Sequence, residues 1–350
     1  MSLLAPRAHA FRYCPRITAA AAFGQVSNNI QHRYLSHHLH TSFITPSWSR
    51  SWSSSSHRHA TAAKTDTPPI HEKLPDPKKV AFRFREFDLN GKIFVVTGGG
   101  RGLGLALAEA LVEAGGIVYC LDRLNEPDKE FEVVKDRLSL EYGGSLNFDK
   151  VDVREAGNVD RVVSEIAGKH QRMDGLIAAA GVQLVQPALD YAPEKVMEML
   201  DINYKGVYCS AQSCARQMIK YGCSGSILLV ASMSGLIANR GFTSSVYNSS
   251  KAAVCQLARS LAMEWGQIVD GKPIRVNSLC PGNILTPMVE QNFKDDPKLR
   301  ASWENGNMLG RLSKPSEYRG AALFALSDAS SFMTGSQVSS HSALALPEPN

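Results

Sequence analysis

The feature that most constrains this chain is a regular alternation of short apolar runs with helix-length segments, which begins near residue 80. Strands that are apolar throughout and separated by helices indicate a parallel sheet covered by helices on both faces. Because parallel strands need right-handed crossovers, we predict one α/β domain over residues 80–340, a Rossmann-type doubly wound parallel sheet. The predicted strands are 93–97, 117–122, 146–153, 175–180, 226–231 and 274–279.

The clearest helix between the predicted strands covers residues 250–266. Within it, Val254, Leu257, Leu261 and Trp265 recur at spacings of three to four residues. This period places them on one face of a helix, so we predict that the face is buried against the sheet.

Residues 1–79 differ from the predicted domain in composition and charge. The first 65 residues contain six Arg and one Lys but no Asp or Glu. A basic, Ser-rich, acid-free segment is typical of an organelle transit peptide. We therefore predict a mitochondrial matrix address, with cleavage just before Ser36. The alternatives are a tail without function or a misassigned gene start, which would leave the protein in the cytoplasm.

The rest of the composition excludes several classes of protein. With the basic extension set aside, the chain is slightly acidic, so no nucleic-acid-binding surface is predicted. No run approaches the roughly 18 apolar residues that a membrane helix needs. The seven cysteines form no CxxC pair, which disfavours both a disulfide framework and a zinc site. We predict a small-molecule substrate, no metal and no membrane or nucleic-acid partner.

A glycine-rich loop, TGGGRGLG at 97–104, connects the first strand to a predicted helix over 104–114. Glycines let the backbone turn tightly and approach a pyrophosphate, which the free N–H groups of the helix start can bind. This strand–loop–helix context predicts a dinucleotide site. The predicted cofactor contacts in the loop are Gly98, Arg101, Gly102, Leu103 and Gly104.

An acidic residue, Asp122, ends the second predicted strand. A carboxylate at this point accepts hydrogen bonds from the adenosine ribose and repels a 2′-phosphate, which favours NAD. Arg101 and Arg123 are close in sequence to these groups and could bind a 2′-phosphate. NADP therefore stays open as the alternative.

Tyr247 and Lys251, in YNSSK, stand four residues apart at the start of a predicted helix and share one face of it. A phenol has an ordinary pKa near 10. A neighbouring ammonium, together with the charge of an oxidised nicotinamide, favours the phenolate, so we predict Tyr247 as the acid/base of the reaction. The spacing alone is common in helices by chance.

Two further polar residues are candidates for the same site. Ser232, at the end of the fifth predicted strand, could hydrogen-bond a substrate oxygen, with Ser234 as a nearby rival. Asn203 lies within a predicted helix, where Asn is a mediocre helix former. It could hold a water that links Lys251 to solvent; the alternative is a buried amide satisfied by the backbone.

Taken together, these motifs resemble the short-chain dehydrogenase/reductase family over about residues 88–338. The family pattern Thr-Gly-x-x-x-Gly-x-Gly falls on Thr97, Gly98, Gly102 and Gly104. The resemblance implies a catalytic tetrad, which falls on Asn203, Ser232, Tyr247 and Lys251.

The resemblance also implies contacts with the two ends of the cofactor. Asp152 and Val153, at the end of the third predicted strand, match a pair that contacts adenine. A Pro-Gly turn and two residues after it match the nicotinamide-binding segment. These four positions are Pro281, Gly282, Ile284 and Thr286.

The chain departs from the family pattern at three places, one of which is the spacing of 15 residues from Ser232 to Tyr247, slightly longer than is commonest in the family. The family has Asn-Asn-Ala-Gly after the fourth strand, whereas this chain has Ala178–Gly181. Ala179 and Gly181 still permit close backbone approach to the cofactor. The C-terminus lacks the family's Asp-Gly-Gly turn, so we predict a last strand that is only partly formed and an irregular tail over 341–350. The resemblance implies a homo-oligomer, a dimer or tetramer, which this tail puts in question.

Within the family, the chain resembles fungal polyol dehydrogenases and sugar reductases of the arabinitol, mannitol and sorbose type. The stretches that carry this resemblance include LIAAAG, ASMSGLIANRG, YNSSKAAV and LAMEWG. The resemblance implies an NAD(P)-dependent exchange between a secondary alcohol and a ketone, namely a polyol and a ketose. A 3-oxoacyl thioester reductase and a non-catalytic dinucleotide-binding protein are the alternatives.

Overall fold

The structure is a computed structural model that describes residues 84–138, 143–239, 243–267, 272–286, 289–290, 293–294 and 297–340. The predicted extension over 1–79, its cleavage before Ser36 and the predicted tail over 341–350 lie outside the described residues. So does the predicted domain start at residue 80.

The described residues form the predicted parallel sheet, which has seven strands in the order β3-β2-β1-β4-β5-β6-β7. The chain runs outward from β1 on one side and then returns to β4 on the other. In such sheets a ligand binds outside the carboxyl ends of the strands where this reversal occurs. The strands are β1 Ile93–Thr97, β2 Ile117–Asp122, β3 Ser145–Lys150, β4 Gly175–Ala178, β5 Ser226–Val230, β6 Arg275–Pro281 and β7 Gln337–Ser340.

Helices cover both faces of this sheet. Alternate residues of β1 point to opposite faces: Val95 belongs to one apolar core and Phe94 and Val96 to the other. The predicted stripe is confirmed, since Val254, Leu257 and Leu261 are buried and Trp265 packs against the same core. The helices are α1 Gly102–Glu113, α2 Lys129–Leu138, α3 Ala156–His170, α4 Pro193–Leu200, α5 Val207–Lys220, α6 Ser245–Trp265, α7 Pro297–Asn305 and α8 Arg319–Leu326.

The third strand is shorter than predicted. It ends at Lys150 because its neighbour β2 ends at Asp122, the partner of Lys150 in the register. One more backbone bond follows, from the N–H of Val151 to the carbonyl of Asp122. The prediction that Asp152 and Val153 end the strand is therefore wrong by two to three residues; both lie in the loop beyond it.

The last strand forms despite the unusual C-terminal sequence. β7 pairs with β6 in parallel register from Ser278↔Gln337 to Pro281↔Ser340. The chain before β7 is held against β6 by a hydrogen bond. The guanidinium of Arg275, on β6, donates to the carbonyl of Ser327 at 2.9 Å. No helix among the described residues is long and apolar enough to cross a membrane.

Candidate active site

A cavity of about 1240 Å³ opens at the carboxyl ends of the strands, where the strand order reverses. All of the residues that sequence reasoning predicted for the site, apart from Asn203, line it. They are Gly98, Arg101, Gly102, Leu103, Gly104, Asp122, Asp152, Val153, Ala179, Gly181, Ser232, Tyr247, Lys251, Pro281, Gly282, Ile284 and Thr286.

The glycine-rich loop forms one end of the cavity, and its glycines are required by the backbone. Gly98 and Gly102 have positive φ angles of 70° and 59°, which side chains with a Cβ rarely adopt. A Cβ on Gly104 would overlap the carbonyl oxygen of Gly98, and one on Gly98 would lie 2.7 Å from the backbone nitrogen of Ala180. Helix α1 begins at Gly102, so its first free N–H groups face this end of the cavity. The loop is a cradle that a side chain would fill, and it fits a pyrophosphate.

Charged groups surround the next part of the cavity. The carboxylate of Asp122 accepts hydrogen bonds from the backbone N–H groups of Gly100 at 3.1 Å and Leu124 at 3.3 Å. Asp152 pairs with Arg154, and the hydrogen bonds from this guanidinium lower the pKa of the Asp152 carboxyl. The guanidinium of Arg123 lowers the same pKa more weakly. This end therefore offers both carboxylates and guanidinium groups.

Ser232 and Tyr247 come together at the other end. Tyr247 lies in the first turn of α6 and is half-buried, and Ser232 lies two residues after the end of β5. Burial raises the pKa of the Tyr247 phenol, and a hydrogen bond with the Ser232 hydroxyl opposes that rise. The Ser232 hydroxyl also accepts the N–H of Ser234 at 3.1 Å. The predicted convergence of these side chains is therefore found in the structure.

Lys251 lies one turn further along α6 and is only 4% exposed. Its ammonium donates to the carbonyl of Val230 at 2.9 Å and lies 5.8 Å from the centre of the Tyr247 ring. Burial lowers the pKa of Lys251 to about 8. The sequence predicts that Lys251 and an oxidised nicotinamide together lower the Tyr247 pKa. The protein groups alone raise it, so the lowering stays a prediction that concerns the cofactor.

Asn203 is fully buried in a π-helical turn, Asp201–Gly206, between α4 and α5. Its side-chain oxygen accepts the N–H of Val182 at 2.9 Å, and its NH₂ group donates to the carbonyl of Val182 at 2.9 Å and to the Ser250 hydroxyl at 3.1 Å. The amide is thus satisfied by protein groups, as the alternative interpretation held. A Cβ built on Gly181 would lie 3.4 Å from both the Asn203 oxygen and the Lys251 nitrogen. Asn203 fixes the backbone that lines the cavity beside Lys251.

The predicted nicotinamide segment follows β6. Ile284 forms an isolated parallel bridge with Ser313, and the N–H of Leu285 donates to the Ser313 carbonyl at 2.8 Å. The Thr286 hydroxyl accepts the N–H of Val289 at 3.4 Å. These contacts hold the segment along the cavity wall.

Asn239 is one of several polar cavity residues, Arg154 and Asn283 among them, that the sequence did not predict. Its NH₂ group donates to the Ser234 hydroxyl at 2.6 Å. Its side-chain oxygen is buried and has no hydrogen-bond partner in the described part of the chain. Nothing local in the sequence marks it, because its position depends on how the chain returns from Ser232 to α6.

Comparisons with known proteins agree with this geometry. A family model described as Enoyl-(Acyl carrier protein) reductase matches residues 98–341. The short chain dehydrogenase/reductase notP′ of Aspergillus versicolor is 39% identical over 72% of this chain and 86% of the relative. The D-arabinitol 2-dehydrogenase (ribulose-forming) of Scheffersomyces stipitis is 34% identical over 71% of this chain and 92% of the relative. A solved short-chain type dehydrogenase/reductase from Mycobacterium marinum is 36% identical, with a TM-score of 0.66 over 73% of this chain and 96% of that one.

Proposed function

We propose that this chain, which belongs to the short-chain dehydrogenase/reductase family and is an oxidoreductase, interconverts a polyol and a ketose with NAD(P). One observation carries the proposal. The Ser232 hydroxyl, the Tyr247 phenol and the Lys251 ammonium meet in the cavity whose other end is the glycine-rich loop.

The chain's own residues fit a dinucleotide. The loop over 98–104 would hold the pyrophosphate, Asp122 the adenosine ribose, Asp152 and Val153 the adenine, and the segment from Pro281 to Thr286 the nicotinamide. When bound, NAD(P) supplies the hydride acceptor or donor at its nicotinamide ring. The remaining chemistry is proton transfer and charge stabilisation by the protein.

Tyr247 exchanges the proton of the substrate oxygen. Its raised pKa keeps the phenol protonated at neutral pH, so it is ready to donate a proton when a ketone is reduced. In the opposite direction the phenolate removes the hydroxyl proton, so alcohol oxidation becomes faster as the pH rises. Ser232 hydrogen-bonds the substrate oxygen where charge develops. Lys251, held against the Val230 carbonyl, keeps a positive charge beneath the ring.

The polyol assignment is supported by relatives and by the cavity. The D-arabinitol 2-dehydrogenase is covered over 92% of its length. The Asn239 side-chain amide and the Ser234 hydroxyl to which it donates line the cavity beside Ser232. Polar side chains beside the reacting oxygen suit a substrate with several hydroxyl groups.

A 3-oxoacyl thioester reductase is the second candidate. A solved 3-oxoacyl (acyl-carrier-protein) reductase from Agrobacterium tumefaciens, which is 27% identical over 75% of this chain with a TM-score of 0.65, favours it. The complete group of Ser232, Tyr247 and Lys251 argues against a non-catalytic binding protein, because nucleotide binding alone does not need a phenol at the far end of the cavity.

We propose NAD as the preferred cofactor, with NADP as the alternative. Asp122 supports NAD because its carboxylate would repel a 2′-phosphate. Arg101 and Arg123, both exposed, are the groups that would favour NADP.

Turnover with NADH or NADPH, followed by absorbance of the reduced nicotinamide, tests these proposals together. The full chain is given a panel of ketoses and, separately, acetoacetyl thioesters. We expect turnover of ketoses, faster with NADH. Turnover confined to the thioesters would favour the second candidate, and no turnover with any substrate despite cofactor binding would favour a binding protein.

Two further proposals concern assembly and address. Phe332 is fully exposed and Met263 is 78% exposed on the described surface, which supports a homo-oligomer. Light scattering of the purified chain tests it, and a monomer would contradict it.

The basic extension supports a mitochondrial address, which a mature N-terminus beginning past residue 35 in cells would confirm.

A further inference from the structure

Two cysteines that the proposed chemistry does not use lie directly behind the candidate site. Cys255 is on α6, one turn after Lys251, and Cys280 is on β6, immediately before Pro281. Their sulfur atoms are 3.6 Å apart, and both side chains are buried. Next to Cys280, the carbonyl of Leu279 accepts the backbone N–H of Ala231 at 2.8 Å, which ties β6 to the segment that carries Ser232. The two sulfur atoms therefore join the segments that carry Lys251, Ser232 and the nicotinamide turn.

The contact between the sulfur atoms favours one thiolate. One thiol donates to the other sulfur, and the guanidinium of Arg259 and the ammonium of Lys251 lie near enough to attract a negative charge. The pKa of Cys255 is lowered by these groups, and that of its partner Cys280 is raised by the same hydrogen bond and by burial. A thiolate is the form of cysteine that reacts with oxidants.

We propose that Cys255 and Cys280 form an oxidisable dithiol, which a hydroperoxide converts into a disulfide that switches the active site off. In the first step the thiolate attacks one peroxide oxygen, so an S–O bond forms, the O–O bond breaks and hydroxide leaves. In the second step the other sulfur attacks the sulfenic acid, so the S–S bond forms, the S–O bond breaks and water leaves with the second thiol proton. The two cysteines lose two electrons, and hydrogen peroxide is reduced to two waters. A dithiol reductant reverses the change by exchange and is itself oxidised to a disulfide.

Closing this bond must disturb the site. A disulfide has an S–S length of about 2.05 Å, so the two sulfur atoms must approach by roughly 1.5 Å. Both lie in a close-packed core, which transmits such a shift to its neighbours. The neighbours here are the turn of α6 that carries Lys251 and the backbone of Ser232. Because a misplacement of about 1 Å can reduce the rate by about 10²-fold, we expect a loss in kcat of about tenfold or more.

Cys214 is the matched control. It lies on α5 in the same core cluster and is equally buried. It makes no sulfur–sulfur contact within the described residues, and burial alone raises the pKa of its thiol. A thiol of this kind should not react under conditions that oxidise the other two.

The test treats the full chain with hydrogen peroxide and quenches the excess. Activity is then measured before and after dithiothreitol, and peptides are mapped by mass spectrometry. We expect loss of two thiols, a crosslink between the peptides that carry Cys255 and Cys280, and recovery of activity with the reductant. Cys255→Ala should keep its activity through the same treatment, whereas Cys214→Ala should lose and regain activity as the natural chain does.

Other results would overturn the proposal. Equal loss of activity in Cys255→Ala would place the damage elsewhere, and so would inactivation of the natural chain without the crosslink. Full activity and free thiols after treatment would also contradict it. Should Cys255→Ala fail to fold, the crosslink map of the natural chain decides alone. That map needs no substrate, so its outcome is separate from the success or failure of the proposed polyol activity.

Discussion

The two ends of the cavity are built from different kinds of groups. One end, which we call the dinucleotide end, is lined by the loop over 98–104 and by Asp122. There, backbone N–H groups and glycines without side chains shape the surface, and charged side chains are partly exposed. The other end, which we call the catalytic end, is lined by Ser232, Tyr247 and Lys251. There, buried or half-buried side chains from separate elements meet, and burial shifts the pKa values of Tyr247 and Lys251. The first end therefore depends on local backbone conformation, whereas the second depends on tertiary packing. Substitutions at the two ends should fail in different ways.

The largest expected effect is at the catalytic end. Tyr247→Phe removes the proton-transfer group, so we expect kcat to fall by about 10³-fold. Cofactor affinity should stay within about twofold, as measured by quenching of protein fluorescence, because the dinucleotide end is unchanged. Tyr191→Phe is the control, since the Tyr191 hydroxyl is buried without a partner in the described residues and does not line the cavity. Equal kcat for Tyr247→Phe and the natural chain would refute the assignment.

A second effect separates activity from stability. The pKa of Lys251 is about 8 in the folded chain, against about 10.4 when unfolded. Below pH 8 the folded state must therefore hold a buried charge, and this penalty is removed as the pH rises from 8 toward 10.4. Lys251→Met should abolish activity yet raise the free energy of unfolding at pH 7 by about 1–2 kcal/mol, after allowance for the lost bond to Val230.

Denaturant unfolding of both proteins at several pH values measures this difference. The gain in the free energy of unfolding that Lys251→Met has over the natural chain should shrink as the pH rises from 8 to 10. A difference that is constant with pH would contradict the shifted pKa.

The dinucleotide end should respond to added volume. Gly104→Ala places a Cβ onto the carbonyl oxygen of Gly98, so the loop must move. We expect the Kd for NADH to rise about tenfold, equivalent to about 1.4 kcal/mol, measured by calorimetry. Gly157→Ala is the matched control because a Cβ there meets nothing within 4 Å. Unchanged NADH affinity in Gly104→Ala would mean that the loop does not hold the cofactor.

The smallest effect concerns substrate choice. Asn239→Leu removes a polar amide from the cavity wall and its hydrogen bond to Ser234, so we expect KM for a polyol to rise about fivefold, equivalent to about 1 kcal/mol for one neutral hydrogen bond. KM for a secondary alcohol without other hydroxyl groups should stay the same. Steady-state kinetics with both substrates compare them, and an equal rise in both would show a general distortion instead.

The same contrast explains what could be predicted from the sequence. The dinucleotide end is encoded locally: the loop over 98–104 follows the apolar strand β1, Asp122 ends the apolar strand β2, and residues of both line the cavity as predicted. The strand ends were less predictable, because β3 stops where its neighbour stops rather than where its own pattern does. The π-helical turn around Asn203 and the place of Asn239 in the cavity wall carry no local signal in the sequence. Their positions depend on tertiary contacts with Val182 and Ser234.

The central claim is that the two ends of the cavity cooperate in moving a hydride from a carbinol carbon to a nicotinamide. The most direct test uses a polyol that carries deuterium on that carbon and follows the mass of the reduced cofactor. The account predicts that the reduced cofactor gains one deuterium in the natural chain and that none is transferred by Tyr247→Phe on the same timescale. Reduced cofactor without deuterium, or none at all from every polyol tried, would contradict it.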